Sequence, residues 1–277
     1  MLANTKIFQI YYKPGQLALL EPEFTPYDNT ANLRPELREW YVWDKMYQQC
    51  CDDGLEYWGF VSQKFSQKTN LTGAQYLEFI NANPGFELYF VNPAIINEAV
   101  HANSWEQGDI HHPNISVIGN SFLTKLGYTD IDVKSLILDR EKTMFANYIV
   151  GSRAFWDKFM EFSRKLFTEA ENDATFNEQV FGAGLSNYAG DKTLPNFTFL
   201  IERLIPTFIE LEEIPAKAYQ YTRETLPSKY LPYIADIEAL SSLKVLINRH
   251  NCDDLYHVWD YYRLQFLRNN PGILGLE

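Results

Sequence analysis

The most constraining feature of the sequence is the alternation of strand-like and helix-like segments along its first 150 residues. Four runs of β-branched and aromatic residues predict strands, at residues 6–12, 57–61, 87–91 and 144–150. Helical spacing of apolar side chains separates them at residues 36–49 and again from Thr72, where Thr72 and Gln75 match a capping box. This order is typical of an α/β protein with a mostly parallel central sheet flanked by helices.

The rest of the chain is mainly helical by the same criteria. Helices are predicted at residues 117–126, 154–171, 197–211 and 235–249, and in the tail after residue 251. Pro206 lies inside one of them and is expected to kink it. We therefore expect an α/β core over residues 1–215 and a helical C-terminal extension over residues 216–277 that packs on the core.

Two connecting segments and one helix start are also predicted. Residues 105–113 are polar and are expected to form a loop. Residues 173–195 contain three glycines and a proline, and predict a long surface loop that is either a lid or a plain connection. Asn92 and Pro93 fit a helix N-cap followed by a proline in the first turn, although Asn92 is equally a candidate ligand-binding residue.

Charge and cysteine content narrow the class of protein. The chain has 277 residues and a formal net charge of −12, which disfavours nucleic acid and anionic lipid as partners. No apolar run approaches the roughly 20 residues that span a bilayer, and the N-terminus lacks the layout of a signal peptide. Three cysteines do not make a disulfide framework. We expect a soluble cytoplasmic protein, with a peripheral position at the inner membrane as the alternative.

Aromatic residues are unusually frequent, with 19 Phe, 18 Tyr and 6 Trp. Large rings are mostly buried in globular proteins, so an aromatic core is the first explanation for any one of them. The alternative is a cleft in which rings stack on a nucleobase or on the face of a sugar. Aromatic content alone does not decide between these two.

Several common catalytic motifs are absent, among them a phosphate-binding loop, a GxGxxG turn, a GxSxG elbow and HExxH. Polar residues instead collect within or just after the predicted strands. In open α/β sheets, ligands bind at the carboxyl ends of the strands. The candidates placed there are Gln9, Tyr11, Ser62, Lys64, Asn92 and Asn147.

Acid–base and metal candidates lie elsewhere in the chain. Glu202 and Arg203 stand within an apolar helix, where a carboxylate is either ion-paired or held near a cleft with a raised pKa. Glu106 is a second candidate acid or base. His111 and His112 precede a proline and fit a surface loop or a proton-transfer site. Residues 130–132 read Asp-Ile-Asp, a short pattern that holds a divalent metal only where further ligands converge.

Five ordered segments resemble the glycosyltransferase domains of bacterial surface-polysaccharide clusters. They are residues 35–40 (PELREW), 57–65 (YWGFVSQKF), 105–113 (WEQGDIHHP), 145–150 (FANYIV) and 202–204 (ERL). The resemblance covers most of residues 5–210 and little beyond residue 215. It implies a GT-A-like fold that binds a nucleotide sugar.

The resemblance also implies roles for individual residues. Gln9, Tyr11, Asp28 and Asn29 would line the nucleotide site. Ser62 and Lys64 would lie near the diphosphate, with Asn92 at the donor site and Asn147 facing the sugar or the acceptor. Glu202 would be the base for the acceptor hydroxyl and Arg203 would orient it or bind phosphate. The acceptor or a phosphate would also contact Glu106, Gln107 and His112.

The chain departs from this family at one point. Many GT-A enzymes carry an acidic DxD at a strand end, whereas the comparable strand here ends in Phe90-Val91-Asn92-Pro93. No metal ligand is therefore assigned, and dependence on Mn²⁺ or Mg²⁺ stays open. Lys64, Arg140 or Arg203 would be the alternatives for neutralising the leaving diphosphate.

The resemblance therefore implies an inverting, hexosyltransferase-like enzyme of bacterial surface polysaccharide or lipopolysaccharide synthesis. It would move a sugar from a nucleotide-sugar donor to a glycan or glycolipid acceptor, alone or with further domains of a larger glycosyltransferase. The main alternative is a non-catalytic carbohydrate- or nucleotide-binding domain of a larger assembly. A glycoside hydrolase is the third reading and needs two facing carboxylates about 5–9 Å apart, such as Glu106 and Glu202.

Overall fold

A six-stranded mixed sheet forms the centre of the molecule. The computed structural model describes residues 4–182 and 194–276. The strands are β1 Thr5–Tyr11, β2 Thr25–Asp28, β3 Tyr57–Ser62, β4 Leu88–Phe90, β5 Ile149–Ser152 and β6 Ala216–Ala218, in the spatial order β2-β1-β3-β5-β4-β6. Strand β5 runs antiparallel to both neighbours, and the other three strand pairs are parallel. The prediction of a mostly parallel α/β sheet is confirmed.

Helices flank this sheet and make up most of the remaining described residues. They are α1 Arg38–Asp52, α2 Phe65–Thr69, α3 Gly73–Ala82, α4 Ile95–Val100, α5 Ser104–His111, α6 Ile115–Lys125, α7 Arg153–Asn172, α8 Ala174–Phe181, α9 Phe197–Leu211, α10 Ile234–His250 and α11 Asp253–Asn269. Short 3₁₀ helices occupy Pro14–Leu19, Pro35–Leu37, Ser228–Tyr233 and Ile273–Leu276. No helix in the described ranges is long and apolar enough to cross a membrane.

The helices predicted from apolar spacing are confirmed, including the helical tail. The capping box is present, because Thr72 Oγ1 accepts from the Gln75 amide at 3.2 Å and Gln75 Oε1 accepts from the Thr72 amide at 2.9 Å. Gly127 follows the C-terminus of α6 with a φ of +92°, a conformation that glycine adopts without strain.

Residues 105–113 were expected to form a loop, and that prediction is wrong. They lie largely in α5, because the Asn103 side chain caps this helix by accepting from the amides of Trp105 and Glu106 at 2.8 and 3.0 Å. The Trp105 ring is buried, and its indole N–H donates to Thr207 Oγ1 at 2.7 Å. The contact between Trp105 and Thr207 therefore stabilises α5, which the polar local sequence does not predict.

Three further predictions are corrected. Asn92 does not cap α4, which begins at Ile95; its Oδ1 instead accepts from the Ala94 amide at 3.1 Å in a turn. The fourth predicted strand starts at Ile149 rather than at residue 144. The predicted loop at residues 173–195 begins with α8, and residues 183–193 of the proposed lid lie outside the described residues.

Aromatic side chains fill both faces of the sheet. On one face, Trp58 stacks on Trp156 with ring centroids 6.0 Å apart, and the Trp156 indole donates to the Trp58 carbonyl at 2.9 Å. On the other face, Phe65 packs against Tyr76 and Tyr148 at 5.4 Å each. Alternate strand residues point to opposite faces, so helices on both sides bury them. Most of the large rings named here are thus core residues.

A third apolar cluster joins the C-terminal helices to α4. It includes Ile96, Ile237, Leu240 and Trp259. Strand β6 follows directly after residue 215 and pairs with β4, so the central sheet continues into the segment expected to be the extension. The division at residue 215 remains a prediction.

Gly59 sits where β3 pairs with β5, and its replacement tests this contact. A Cβ added there would lie 2.1 Å from the Ile149 carbonyl oxygen and 2.8 Å from the Val150 Cα, which are backbone atoms that cannot rotate away. We expect Gly59→Ala to lower the free energy of unfolding by about 1–3 kcal/mol in urea denaturation. Gly15→Ala is the matched control, because a Cβ there meets nothing within 4 Å. Equal stability of the two variants would contradict the close approach of β3 and β5.

Candidate functional site

A cleft of about 610 Å³ opens at the carboxyl ends of β3 and β4, beside the start of β5. Helices α2, α4, α5 and α9 contribute to its walls, together with residues 144–146 and the 3₁₀ helices Ser228–Tyr233 and Ile273–Leu276. The cleft brings together six of the residues singled out from the sequence, although they come from distant parts of the chain. They are Lys64, Gln107, His111, His112, Glu202 and Arg203.

A smaller hollow of about 80 Å³ adjoins the cleft. The two share Lys68, Phe145, Ala146 and Glu202 as lining residues. Ser62 and Asn147, both expected at the site, line the smaller hollow. Glu202 therefore stands between a large compartment and a small one.

Glu202 has the properties of a proton acceptor. It projects from the middle of α9 into the cleft, and 39% of its side chain is accessible to water. Burial raises its pKa to about 7, opposed by the nearby cation of Arg203 and assisted by the carboxylate of Glu39. A carboxylate with a pKa near neutrality can take a proton and release it at physiological pH.

Arg203 is held rigidly by neighbouring groups. Its Nε donates to the Ser104 carbonyl at 2.9 Å, Nη1 to the Phe199 carbonyl at 2.7 Å and Nη2 to Gln107 Oε1 at 2.9 Å. Gly108 makes room for this guanidinium, because a Cβ at that position would lie 2.2 Å from Arg203 Nε. Arg203 thus fixes α9 against α5 and places a buried positive charge beside Glu202.

His112 lies flat against Phe199, with ring centroids 3.5 Å apart. Burial, with the charge of Arg203 as a second cause, lowers the pKa of His112 to about 4, so the ring is neutral at pH 7. Its buried Nδ1 has no hydrogen-bond partner among the described residues. Gln107 also lines the cleft, with its Oε1 occupied by Arg203.

Positive charge dominates the cleft, although the whole chain is acidic. Lys64, Lys68 and Lys229 line it together with Arg203, whereas Glu202 is the one acidic side chain among the described lining residues. The Lys229 ammonium lies 4.7 Å from the centroid of the Tyr230 ring. A cleft of one sign of charge concentrates ligands of the opposite sign.

The residues expected to hold a nucleotide are partly gathered at the ends of β1 and β2. Tyr11 pairs with Asp28 in register, and the Asn29 amide donates to the Tyr11 carbonyl at 2.9 Å. Burial and the Asp28 carboxylate together raise the pKa of the Tyr11 hydroxyl. Gln9 is fully buried, where its Oε1 accepts from the Glu21 amide at 2.7 Å and its Nε2 donates to the Ser62 carbonyl at 3.2 Å.

Asn92 and Glu106 lie outside the lining of this cleft. Asn92 is buried in its turn and also accepts from the Phe145 amide at 3.4 Å. The Glu106 carboxylate accepts from Arg263 Nη1 at 2.8 and 3.0 Å and from the Ala102 amide at 2.6 Å. These contacts hold Glu106 between α5 and α11, away from Glu202.

The Asp-Ile-Asp pattern at residues 130–132 does not form a cluster of metal ligands among the described residues. Asp132 accepts from Asn120 Nδ2 at 2.8 Å and from the Lys134 amide at 3.0 Å, while Asp130 lies in a turn. Within residues 4–182 and 194–276, no three His, Cys, Asp or Glu side chains converge as a metal site would require.

Sequence reasoning missed the contribution of Lys68, Lys229, Tyr230 and Leu274 to the cleft. Lys68 had a usable signal, since it follows Lys64 by four residues, the spacing of one helical turn. The other three lie beyond residue 215, where the family resemblance ends. No local pattern marks them.

Comparison of the chain with known proteins adds no functional evidence to this geometry. No protein-family model matches the chain, and no curated protein does. One solved structure, titled the WbbM bifunctional glycosyltransferase in its apo form, is similar with a TM-score of 0.48 and 14% identity, over 78% of this chain and 44% of that one. The chain thus spans less than half of that protein, and a likeness at this level carries no functional conclusion.

Proposed function

We propose that the chain is a glycosyltransferase, or the transferase domain of a larger one, that takes its sugar from a nucleotide-sugar donor. The observation that carries this proposal is the single cleft that combines Glu202, with a pKa raised to about 7, and the lysines Lys64 and Lys68. Sugar transfer needs both features, namely a base for the acceptor hydroxyl and positive charge for the leaving diphosphate.

The position of the cleft supports the same reaction. It lies at the carboxyl edge of the parallel strands, where α/β proteins bind their ligands. The order β2-β1-β3-β5-β4-β6 with one antiparallel strand is compatible with the proposed GT-A-like fold. We extend the proposal to Tyr11, Asp28 and Asn29 as contacts for the base and ribose, and to Ser62 and Asn147 as contacts for the donor.

The proposed chemistry is inverting transfer. The acceptor oxygen would form a bond to the anomeric carbon while the bond from that carbon to the diphosphate oxygen breaks. The hydroxyl proton would pass to the Glu202 carboxylate, and the nucleoside diphosphate would leave with the electron pair. His112, neutral and buried beside Arg203, would help to shape the acceptor side together with Gln107.

We extend the same proposal to the acceptor, the biosynthetic pathway and the cellular location of the enzyme. A glycan or glycolipid of the bacterial surface, lipopolysaccharide included, is the proposed acceptor, and a cytoplasmic site the proposed location. Asn92 and Glu106 would act indirectly, since their side chains are engaged outside the cleft. The screen below, run with and without Mn²⁺, tests whether the donor complex depends on a divalent metal.

A thermal-shift screen with UDP-, GDP-, CMP- and dTDP-sugars, with and without Mn²⁺, tests the donor class. We expect one base to raise the melting temperature, because a ligand that binds only the folded state stabilises it. A binding domain would show the same shift, so release of the free nucleotide in the presence of acceptor glycans separates the two readings. A shift with none of the donors would contradict the proposal.

A further inference from the structure

We propose that the exposed face of α11 binds the same face of a second copy of this chain, so that two α11 helices pack antiparallel across a two-fold axis. The large cleft stays open in such a dimer because, within the described part of the chain, no residue of α11 lines it. The inference goes beyond the proposed function, and its test needs no nucleotide sugar.

The exposed apolar side chains of α11 are concentrated in one short stretch. Four of the eleven exposed large apolar side chains among the described residues lie within residues 258–264, namely Val258, Tyr261, Tyr262 and Leu264. Tyr261 is 59% exposed, and its ring centroid lies 5.4 Å from that of Tyr262. Single exposed apolar residues are common on protein surfaces, whereas a contiguous group marks an interaction site.

Contacts on the inward side of α11 fix which residues face outward. Trp259 is buried against α4 and α10, and its indole N–H donates to the Ala99 carbonyl at 3.0 Å. Arg263 also faces inward, where it pairs with Glu106 and with Asp260 at 2.8 Å each. With about 100° of rotation per residue, the opposite side of the helix is exposed. It carries Asp254, Val258, Tyr261, Leu264 and Arg268.

These outward residues are arranged symmetrically about Tyr261. Asp254 and Arg268 lie seven residues from Tyr261 on either side, and Val258 and Leu264 lie three residues from it. A two-fold axis at Tyr261 between antiparallel helices therefore places Asp254 at the level of Arg268 of the second copy. It also places Val258 at the level of Leu264 of the second copy. The face is thus complementary to itself, with opposite charges at its ends and apolar side chains at its centre.

The helix dipole accounts for only part of this pattern. It favours an acidic residue in the first turn and a basic residue in the last turn, as found at Asp254 and Arg268. It does not account for the equal spacing of both residues from Tyr261, nor for the exposed apolar side chains between them. Self-association accounts for all three features.

The length of α11 predicts a weak, reversible dimer. Its 17 residues extend over about 26 Å, and a contact of this length buries less than the roughly 800 Å² per partner of a standard interface. We expect sedimentation velocity of the wild type to show a monomer–dimer equilibrium with a Kd of roughly 10–100 µM. Tyr261→Glu places two like charges beside the two-fold axis and should weaken the dimer at least about tenfold.

Charge reversal tests the register of the two helices. Asp254→Arg and Arg268→Asp each place like charges at both ends of the contact, so each should weaken self-association about tenfold. The two variants shift the net charge in opposite directions, so a loss that both share cannot come from net charge. A mixture of the two should form a heterodimer as tight as the wild-type dimer, because each variant then meets the opposite charge on the other.

The control is Glu161→Arg on the exposed side of α7, which changes the net charge by as much as Asp254→Arg does and should leave the Kd unchanged. A wild type that stays monomeric up to about 300 µM would overturn the proposal. If that monomer bound anionic vesicles through Tyr261, the face would belong to a membrane instead. Folded charge variants that dimerise as the wild type does, or a mixture that does not recover the wild-type Kd, would also overturn it.

Discussion

Glu202→Gln is expected to lower kcat for sugar transfer by about 10²–10⁴-fold, the usual contribution of a general base. Glutamine keeps nearly the same shape but cannot accept the proton of the acceptor hydroxyl. Affinity for the donor should change little, because the proposed donor contacts lie on α2 and at the strand ends. The measurement is steady-state kinetics with the donor found by the thermal-shift screen.

The pH profile of the wild type sharpens this prediction. Burial raises the pKa of Glu202 to about 7, and only the ionised carboxylate can act as a base. We expect log(kcat/KM) to rise with a slope of one below pH 7 and to level off above it. Lys68→Gln should move this inflection to higher pH, because the lysine charge favours the ionised carboxylate.

Stability measurements separate loss of a base from loss of fold. Because the pKa of Glu202 is higher in the folded state than in the unfolded state, its ionisation destabilises the protein as pH rises from about 4.5 to 7. Glu202→Gln should therefore be at least as stable as the wild type at pH 8, with a smaller difference at pH 4.5. Glu161→Gln, on the exposed side of α7, is the control for activity. Wild-type turnover by a folded Glu202→Gln would reject Glu202 as the base.

The parts of this structure that could be predicted are those in which local signals suffice. The runs that form β1, β3 and β4 and the apolar spacing of α7 and α9 are visible in the sequence, because each element buries its own pattern. Strands β2 and β6 escaped prediction. They are edge strands of four and three residues, and pairing with β1 and β4 stabilises them rather than their own composition.

In the candidate site, too, local sequence signals predicted some features, whereas contacts between distant residues determined others. Glu202 could be predicted as a site residue because a carboxylate is unusual inside an apolar helix. The structure places it in the lining of the cleft. Glu106 stood out for the same type of reason, but Arg263, 157 residues away, binds it. Ion pairs over such separations decide which charged residue is structural, and no local pattern reveals them.

Lys244→Met is expected to lower the free energy of unfolding by about 3–5 kcal/mol, the usual cost of removing one member of a buried ion pair. The Lys244 ammonium is fully buried, donates to the carbonyls of Glu98 and His101 at 2.5 and 2.8 Å, and lies 3.2 Å from Glu98 Oε1. Without it, the buried Glu98 carboxylate would keep the hydrogen bond from Ser241 as its one side-chain partner among the described residues. Urea denaturation measures the loss, and exposed Lys165→Met should stay within about 0.5 kcal/mol of wild type.

The double variant Glu98→Met/Lys244→Met shows what this pair does for the cleft. Removing both charges should recover much of the stability, because apolar side chains of similar volume can replace a buried pair. The pair also ties α10 to α4, from which Asn97 lines the cleft. We therefore expect the double variant to fold yet bind the donor found by the thermal-shift screen more weakly than the Lys165→Met control does. A single Lys244→Met that costs less than about 1 kcal/mol would show that the pair is not the link between the C-terminal helices and this wall of the cleft.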